Sequence, residues 1–399
     1  MAGGWRRYLE EESEHQWLAI SGFFLFILLG ALALEGTSDF VGDDMVRVSN
    51  QHQGAMVLDI VHHGESGTYT ALVYAPTVGY HMFTEFADGS VNTIYQPEGV
   101  DMGREVTFLT TIEGQPAFSS APNSWIVLQD GAMVTYEIQA NGELFDVHDI
   151  AKHRSDERVM VLTQEGQNTT VRGVSNLQAT SPMSTSSGVQ WDRLIHLHDD
   201  QWVATGHHIA TAGADGSSPA TPERRPTVGF IQWQGANATP TLTGVRMLSG
   251  TFHSLISTDD GAVIGGSLTS HHVGLDATIT DIDAPSSVAI ADAEDNVWFL
   301  GDQGSTTVGI YTNGVYEIET LSKPMPISTT VVALNGATID VHGTNGEGEP
   351  AQWSIDTKAN GSIESGRGFL NLLFMIAGGA ILGMMCVSAT RSLTQEQRS

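Results

Sequence analysis

Cysteine is almost absent: in 399 residues only Cys386 occurs, which rules out an intrachain disulfide framework, cysteine-based zinc sites and a CxxC redox pair. Cations are scarce, with 17 Lys and Arg against 46 Asp and Glu and a formal net charge of −29. So few positive groups argue against a surface that neutralises phosphates, and hence against a nucleic-acid partner. No G-x-S-x-G elbow, G-x-x-x-x-G-K-[ST] loop or H-E-x-x-H motif occurs, so the familiar signatures of acyl transfer, nucleotide binding and zinc proteolysis are missing. Proline is sparse at 13 against 44 Gly, which points to many turns and not to a Pro-rich linker. A hydrophobic fraction of 41% still supplies a core and excludes wholesale disorder.

Two uncharged apolar stretches are present, Trp17 to Leu34 and Phe369 to Val387. As helices each extends about 27 Å, close to the hydrocarbon thickness of a bilayer. Arg6 and Arg7 precede the first stretch, and Arg391 and Arg398 follow the second. Counting Lys and Arg near the spans places both termini in the cytoplasm, although Arg367 and Lys358 on the outer flank count against it. The expected order is a short cytoplasmic N-terminus (1–16), a transmembrane helix (17–34), an extracytoplasmic domain (45–362), a second helix (369–387) and a cytoplasmic tail (388–399). Ala31-Leu32-Ala33 also fits a signal-peptidase site, so the first stretch has cleavage as its rival reading. Gly379 and Gly383 form a GxxxG in the second span, a helix-packing face for the first span or for another copy in a homo-oligomer.

Between the spans, no apolar helical pattern persists. Short runs such as Trp125-Ile126-Val127-Leu128, Val159-Met160-Val161-Leu162 and Val297-Trp298-Phe299-Leu300 recur instead, bounded by Gly and Asp. Asp-Gly and Asn-Gly pairs at 88–89, 130–131, 141–142, 260–261, 313–314 and 335–336 mark hairpins, because type I′ turns need positive φ at both central residues. One hairpin type is centred on Asp199-Asp200, Asp259-Asp260-Gly261, Glu294-Asp295-Asn296 and Asn335-Gly336. A second type carries an aromatic before its turn: Phe83, Tyr136, Trp233, Tyr311 and Trp353, the last two ahead of Asn313-Gly314 and Asn360-Gly361. The turn at Asp260 is followed 35 residues later by Asp295, and that one 40 residues later by Asn335. Two hairpins in roughly 40 to 45 residues make a four-stranded unit, and roughly 310 residues hold about seven of them, with six or eight as alternatives. The segment Ala212 to Thr227 reads as an exposed insertion on one rim.

In this pattern the sequence resembles the β-propeller repeat superfamily, in the general way of WD40-like and kelch-like proteins. The blade signatures of the individual families do not recur. The resemblance implies an all-β propeller acting as a binding platform. Together with the two apolar stretches, the expected architecture is a propeller flanked by two transmembrane helices, with Trp202, Trp233, Trp298 and Trp353 expected in the blade core. A pair of β-sandwiches is the rival fold.

Fifteen histidines include the doublets His62-His63, His207-His208 and His271-His272. His196 and His198, two apart on a strand, share a face, and Asp199 follows. His196, His198, His207, His208 and Asp199 are therefore the candidate ligands for a divalent metal such as Zn, Cu or Ni, provided the doublets converge on the central channel. Asp281-x-Asp283 and Asp292-x-Glu294-Asp295 resemble parts of a calcium loop without completing one. An acidic, Lys-poor surface suits a salt-rich medium and predicts a salt-adapted or archaeal source. The function expected is a membrane-anchored extracytoplasmic sensor or adhesion module that binds a protein or glycan. A scaffold subunit of an envelope complex is the alternative, and a propeller hydrolase or lyase with paired carboxylates is the third.

Overall fold

The computed structural model describes residues 45–48, 54–63, 67–76, 79–95, 109–119, 122–129, 132–166, 168–185, 188–210, 223–235, 238–321 and 323–358. Both apolar stretches, with Gly379 and Gly383, lie outside the described residues, as do most of the Ala212 to Thr227 insertion and the turns at Asp130 and Asn360. Among the described residues there is no helix, and so none long and apolar enough to cross a membrane.

Met45–Thr357 forms one compact unit, whose described residues make 28 strands in seven four-stranded antiparallel sheets. The first strands of the sheets are Met56–His62, Leu109–Ile112, Asp146–Lys152, Val189–His198, Phe252–Thr258, Val288–Ala291 and Ser328–Asn335. Each touches the next, and the last touches the first, so the inner strands close a ring and the sheets radiate from it. This is a seven-bladed β-propeller. Blade 7 takes its outer strand, Met45–Val48, from the beginning of the domain, where it pairs antiparallel with Pro350–Asp356. That exchange ties the two ends of the ring together.

Each blade buries both faces, and among the described residues one apolar cluster lies between every neighbouring pair of blades. Strands sandwiched in this way need no polar alternation, which is why Val159–Leu162 and Val297–Leu300 are buried at every position. The interface of blades 3 and 4 is the bulkiest, holding Trp191, Trp202 and Trp233 fully buried. It closes because Gly173 has no side chain: a Cβ there would lie 2.4 Å from the Trp233 indole. Trp298 is likewise buried, while Trp353 is half-buried under the Lys323 ammonium.

The hairpin turns at 88–89, 260–261 and 335–336 lie between paired strands as the sequence implies, but Asp88, Asp260 and Asn335 do not have positive φ, so these are not type I′ turns. Asn313 and Gly314 both have positive φ, 48° and 84°, between the third and fourth strands of blade 6, as a type I′ turn requires. Asn141 and Gly142 also have positive φ, but they follow the outer strand Ala132–Glu137 and form part of the connection to blade 3. In blade 2 the third and fourth strands, Ser124–Gln129 and Ala132–Glu137, pair with Gln129 opposite Ala132, so Tyr136 lies on the outer strand and does not precede a hairpin within the blade.

Candidate functional site

The seven inner strands surround an axial cavity of about 470 Å³, and every blade contributes to its wall. Its charged lining groups are Asp59, Asp149, Lys152 and Arg193, joined by His196 and His253. A second hollow of about 430 Å³ shares Thr111 and Lys152 with it and is bounded by Glu113 and the 153–157 turn. This places the mouth of the channel on the rim formed by the turns that join inner to second strands.

Five inner strands carry a β-bulge near the same point. The register slips between Val57 and Asp59, Val147 and Asp149, Trp191 and Arg193, Phe252 and Ser254, and Thr329 and Val331. A bulge adds one residue and re-aims the side chains beyond it. The residue just past it is Asp59, Asp149, Arg193, Ser254 or Val331. In blade 3, Asp149 accepts from Ile150 N at 2.9 Å and from Leu194 N of blade 4 at 2.7 Å. Ser254 Oγ accepts from Ala289 N of blade 6 at 3.1 Å. These oxygens bridge inner strands at two places in an inner belt, from blade 3 to 4 and from blade 5 to 6, satisfying backbone donors that the channel would otherwise leave unpaired. Burial pushes the Asp149 carboxyl up to about 6, with the Arg193 charge and the two N–H donors pulling the other way.

The mouth is tied across blades. Arg158 donates to Asp200 Oδ1 at 2.7 Å and to the Trp233 carbonyl at 2.8 Å. Arg154 reaches from blade 3 to the Thr258 carbonyl of blade 5 at 3.0 Å and also donates to Ser257. Asp259 N donates to Asp295 Oδ2 at 2.7 Å. At the seam between blades 7 and 1, His62 Nε2 lies 3.2 Å from Asp340 Oδ2. Burial tends to raise the Asp340 carboxyl, but His62 and Asn335 outweigh it and hold the group below its usual range.

The histidines proposed as metal ligands do not come together. The strand containing His196 bulges again between His196 and His198, so the shared face expected from a spacing of two is lost. His196 turns inward, 5% exposed, its ring 4.1 Å from that of His153. Both rings donate Nε2–H to the Asp199 carbonyl, at 2.9 and 2.6 Å. Burial lowers His196 to about 4, which keeps it neutral and is only partly offset by that hydrogen bond. His198 instead pairs with the exposed Asp199 carboxylate at 3.2 Å and contacts the Leu275 carbonyl of the next blade. His207 and His208 pair with Gln190 and Val189 at the far end of the same hairpin, and His207 Nδ1 meets Asp192 at 3.0 Å. The doublets also fall on different strands: the first of blade 1, the second of blade 4 and the third of blade 5. Among the described residues no group of three or more His, Cys, Asp or Glu is arranged to hold a metal. Asp292, the strongest residue of the calcium-like clusters, is filled by donors from Glu294 N, Asn296 N, Asn296 Nδ2 and Trp298 Nε1, all at 2.8–2.9 Å. It organises a turn.

Sequence reasoning overlooked Asp149, Arg193 and the Arg158 tie. One signal was available for the first: Val57-Leu58-Asp59-Ile60 and Val147-His148-Asp149-Ile150 are two copies of one inner-strand motif.

No known family's sequence pattern matches this chain, and no curated protein matches it. Solved structures do resemble it. A puromycin-hydrolyzing peptidase from Mycobacterium tuberculosis aligns over 76% of this chain and 51% of its own, with a TM-score of 0.51 and 10% identity. A chain of the mitotic checkpoint complex aligns over 78% of this chain and 91% of its own, with a TM-score of 0.50 and 10% identity. The propeller of Dos1 aligns over 78% and 94%, with a TM-score of 0.48 and 8% identity. At such identities the likeness is one of fold.

Proposed function

We propose that this protein is a membrane-anchored, extracytoplasmic binding module whose channel-mouth rim holds a protein partner through a basic segment. The observation behind this reading is an arc of exposed carboxylates on that rim. Glu113, Asp156, Glu157, Asp199, Asp259 and Glu294 stand on the first turns of five consecutive blades, 2 to 6. The rim cations nearest to them are already engaged: Lys152 with Glu113 and Glu157, Arg158 with Asp156 and Asp200. Turns fastened blade to blade lose little entropy when a partner docks, and a one-sign surface steers an oppositely charged partner. The mitotic checkpoint complex, in which a similar propeller occurs, is an assembly, which favours a protein over a free small molecule as the rim's occupant. The two apolar stretches supply the anchor, and the Arg residues outside them supply the orientation.

Two experiments test this reading. A membrane-impermeant amine reagent on intact cells should label Lys323 or Lys358 in the full-length chain; labelling only after lysis refutes the exported placement. Cross-linking in the native membrane should recover a partner that is lost, at least tenfold, when Glu113, Asp199, Asp259 and Glu294 are changed together to Gln or Asn. Undiminished recovery removes the rim as the docking face.

A further inference from the structure

Arg193 stands apart from the acceptors at its position. It occupies the post-bulge position that holds Asp59 in blade 1, Asp149 in blade 3, Ser254 in blade 5 and the apolar Val331 in blade 7. In blades 3 and 5 an oxygen there accepts a backbone N–H of the following blade. A guanidinium has five donors and no acceptor, so it cannot play that part. Arg193 is instead exposed within the axial cavity, with no hydrogen bond or ion pair to any described residue.

The other charged groups on the wall are occupied. Asp149 holds two backbone donors, Asp59 Oδ1 accepts from Ile60 N at 3.0 Å, and Lys152 lies between Glu113 and Glu157. Arg154, at the mouth, is spent on Ser257 and Thr258. Arg193 thus brings planar, paired hydrogen-bond donors into a concave site, its charge acting on Asp149 across the same wall, in a chain whose net charge is −29.

We propose that Arg193 binds the carboxylate of a small organic monoanion within the axial cavity. The fork of a guanidinium matches a carboxylate through two parallel hydrogen bonds. A cavity of about 470 Å³ is of the size that encloses a small metabolite. Thr110, Thr111 and Thr330 offer hydroxyls, and Leu58, Leu255 and Val331 offer apolar wall, for the rest of the molecule. The carboxylates of Asp59 and Asp149 on the same wall disfavour a second negative charge, which selects a monoanion over a phosphate dianion. The partner on the rim is a separate matter: neutralising the rim carboxylates leaves Arg193 and its cavity as they are.

The test is calorimetric titration of the full-length chain at pH 7.5 with acetate, lactate and succinate, against inorganic phosphate, with ionic strength held by chloride. Acetate or lactate should bind saturably and more tightly than succinate or phosphate. Arg193→Gln should weaken that binding at least tenfold, and Arg193→Lys less. Arg246→Gln, an exposed arginine on the outer strand Thr241–Met247, should leave it unchanged and serves as the charge control. No saturable binding of any of the carboxylates, tighter binding of phosphate, or equal affinity in Arg193→Gln would overturn the proposal.

Discussion

Blades 3 and 4 place the same bulge at the same point of their inner strands, and the next residue is Asp149 in one and Arg193 in the other. In blade 3 that position is structural: a buried carboxylate spans the gap to Leu194. In blade 4 it is exposed and makes no hydrogen bond or close ion pair among the described residues, while its charge acts on Asp149. The first bulge is shared, although the blade 4 strand bulges again between His196 and His198, and the residue beyond the shared bulge is what differs. An acceptor is drawn into the belt, and a donor is turned into the cavity. A repeat fold can therefore vary this position without changing the ring, because the ring also closes with the apolar Val331 at the same position of blade 7.

The comparison presupposes that the two blades are locked together. Gly173→Ala tests this hardest, since its Cβ would lie 2.4 Å from the Trp233 ring, and it should cost about 3 kcal/mol or more in denaturant titration. A near-neutral result would mean that the interface yields and the shared register is fortuitous. The next effect is of pH. The Asp149 carboxyl, at about 6 against an ordinary 3.8, binds its proton more tightly folded than unfolded. Its ionisation therefore costs stability above pH 6, about 3 kcal/mol at most, and the cost is relieved as pH falls from about 6 toward 3.8. His196, lowered to about 4 from 6.5, has the opposite sign: its contribution is lost as pH falls from 6.5 to 4. The two overlap, so the Asp149 contribution is read as wild type minus Asp149→Asn; a flat difference between pH 7 and 4 would break the contrast between the blades. Ser254→Ala, the weaker belt position, should cost about 1 kcal/mol by leaving Ala289 N without its acceptor. Smallest of all, Arg193→Ala, measured at pH 4.5 where Asp149 holds its proton, should change stability by less than about 0.5 kcal/mol. A cost matching that of Ser254→Ala would show Arg193 to be part of the scaffold after all.

The ring itself could be read in the residues. Paired turns at Asp260, Asp295 and Asn335 spaced the blades, and uninterrupted runs such as Val159–Leu162 signalled strands covered on both sides. What stayed hidden depends on register. A bulge shifts alternation by one residue, so the inward turn of His196 and the separate path of His198 cannot be counted off from a spacing of two. Asn141-Gly142 adopts the turn conformation its chemistry favours, yet it serves a connection between blades, because local preference does not say which strands a turn joins. Arg193 is noticeable only when blades are superposed at their bulges. The insertion after Ala210 and the drift in turn spacing conceal that alignment in a linear reading.

The most direct measurement is a carbon-detected NMR titration of the Asp149 carboxyl in the full-length chain, with and without Arg193 and with saturating lactate. The expected midpoint is about 6 in the wild type, moving upward in Arg193→Gln and also in the wild type when lactate neutralises the guanidinium. A midpoint near 3.8, indifferent both to the substitution and to the anion, would contradict it.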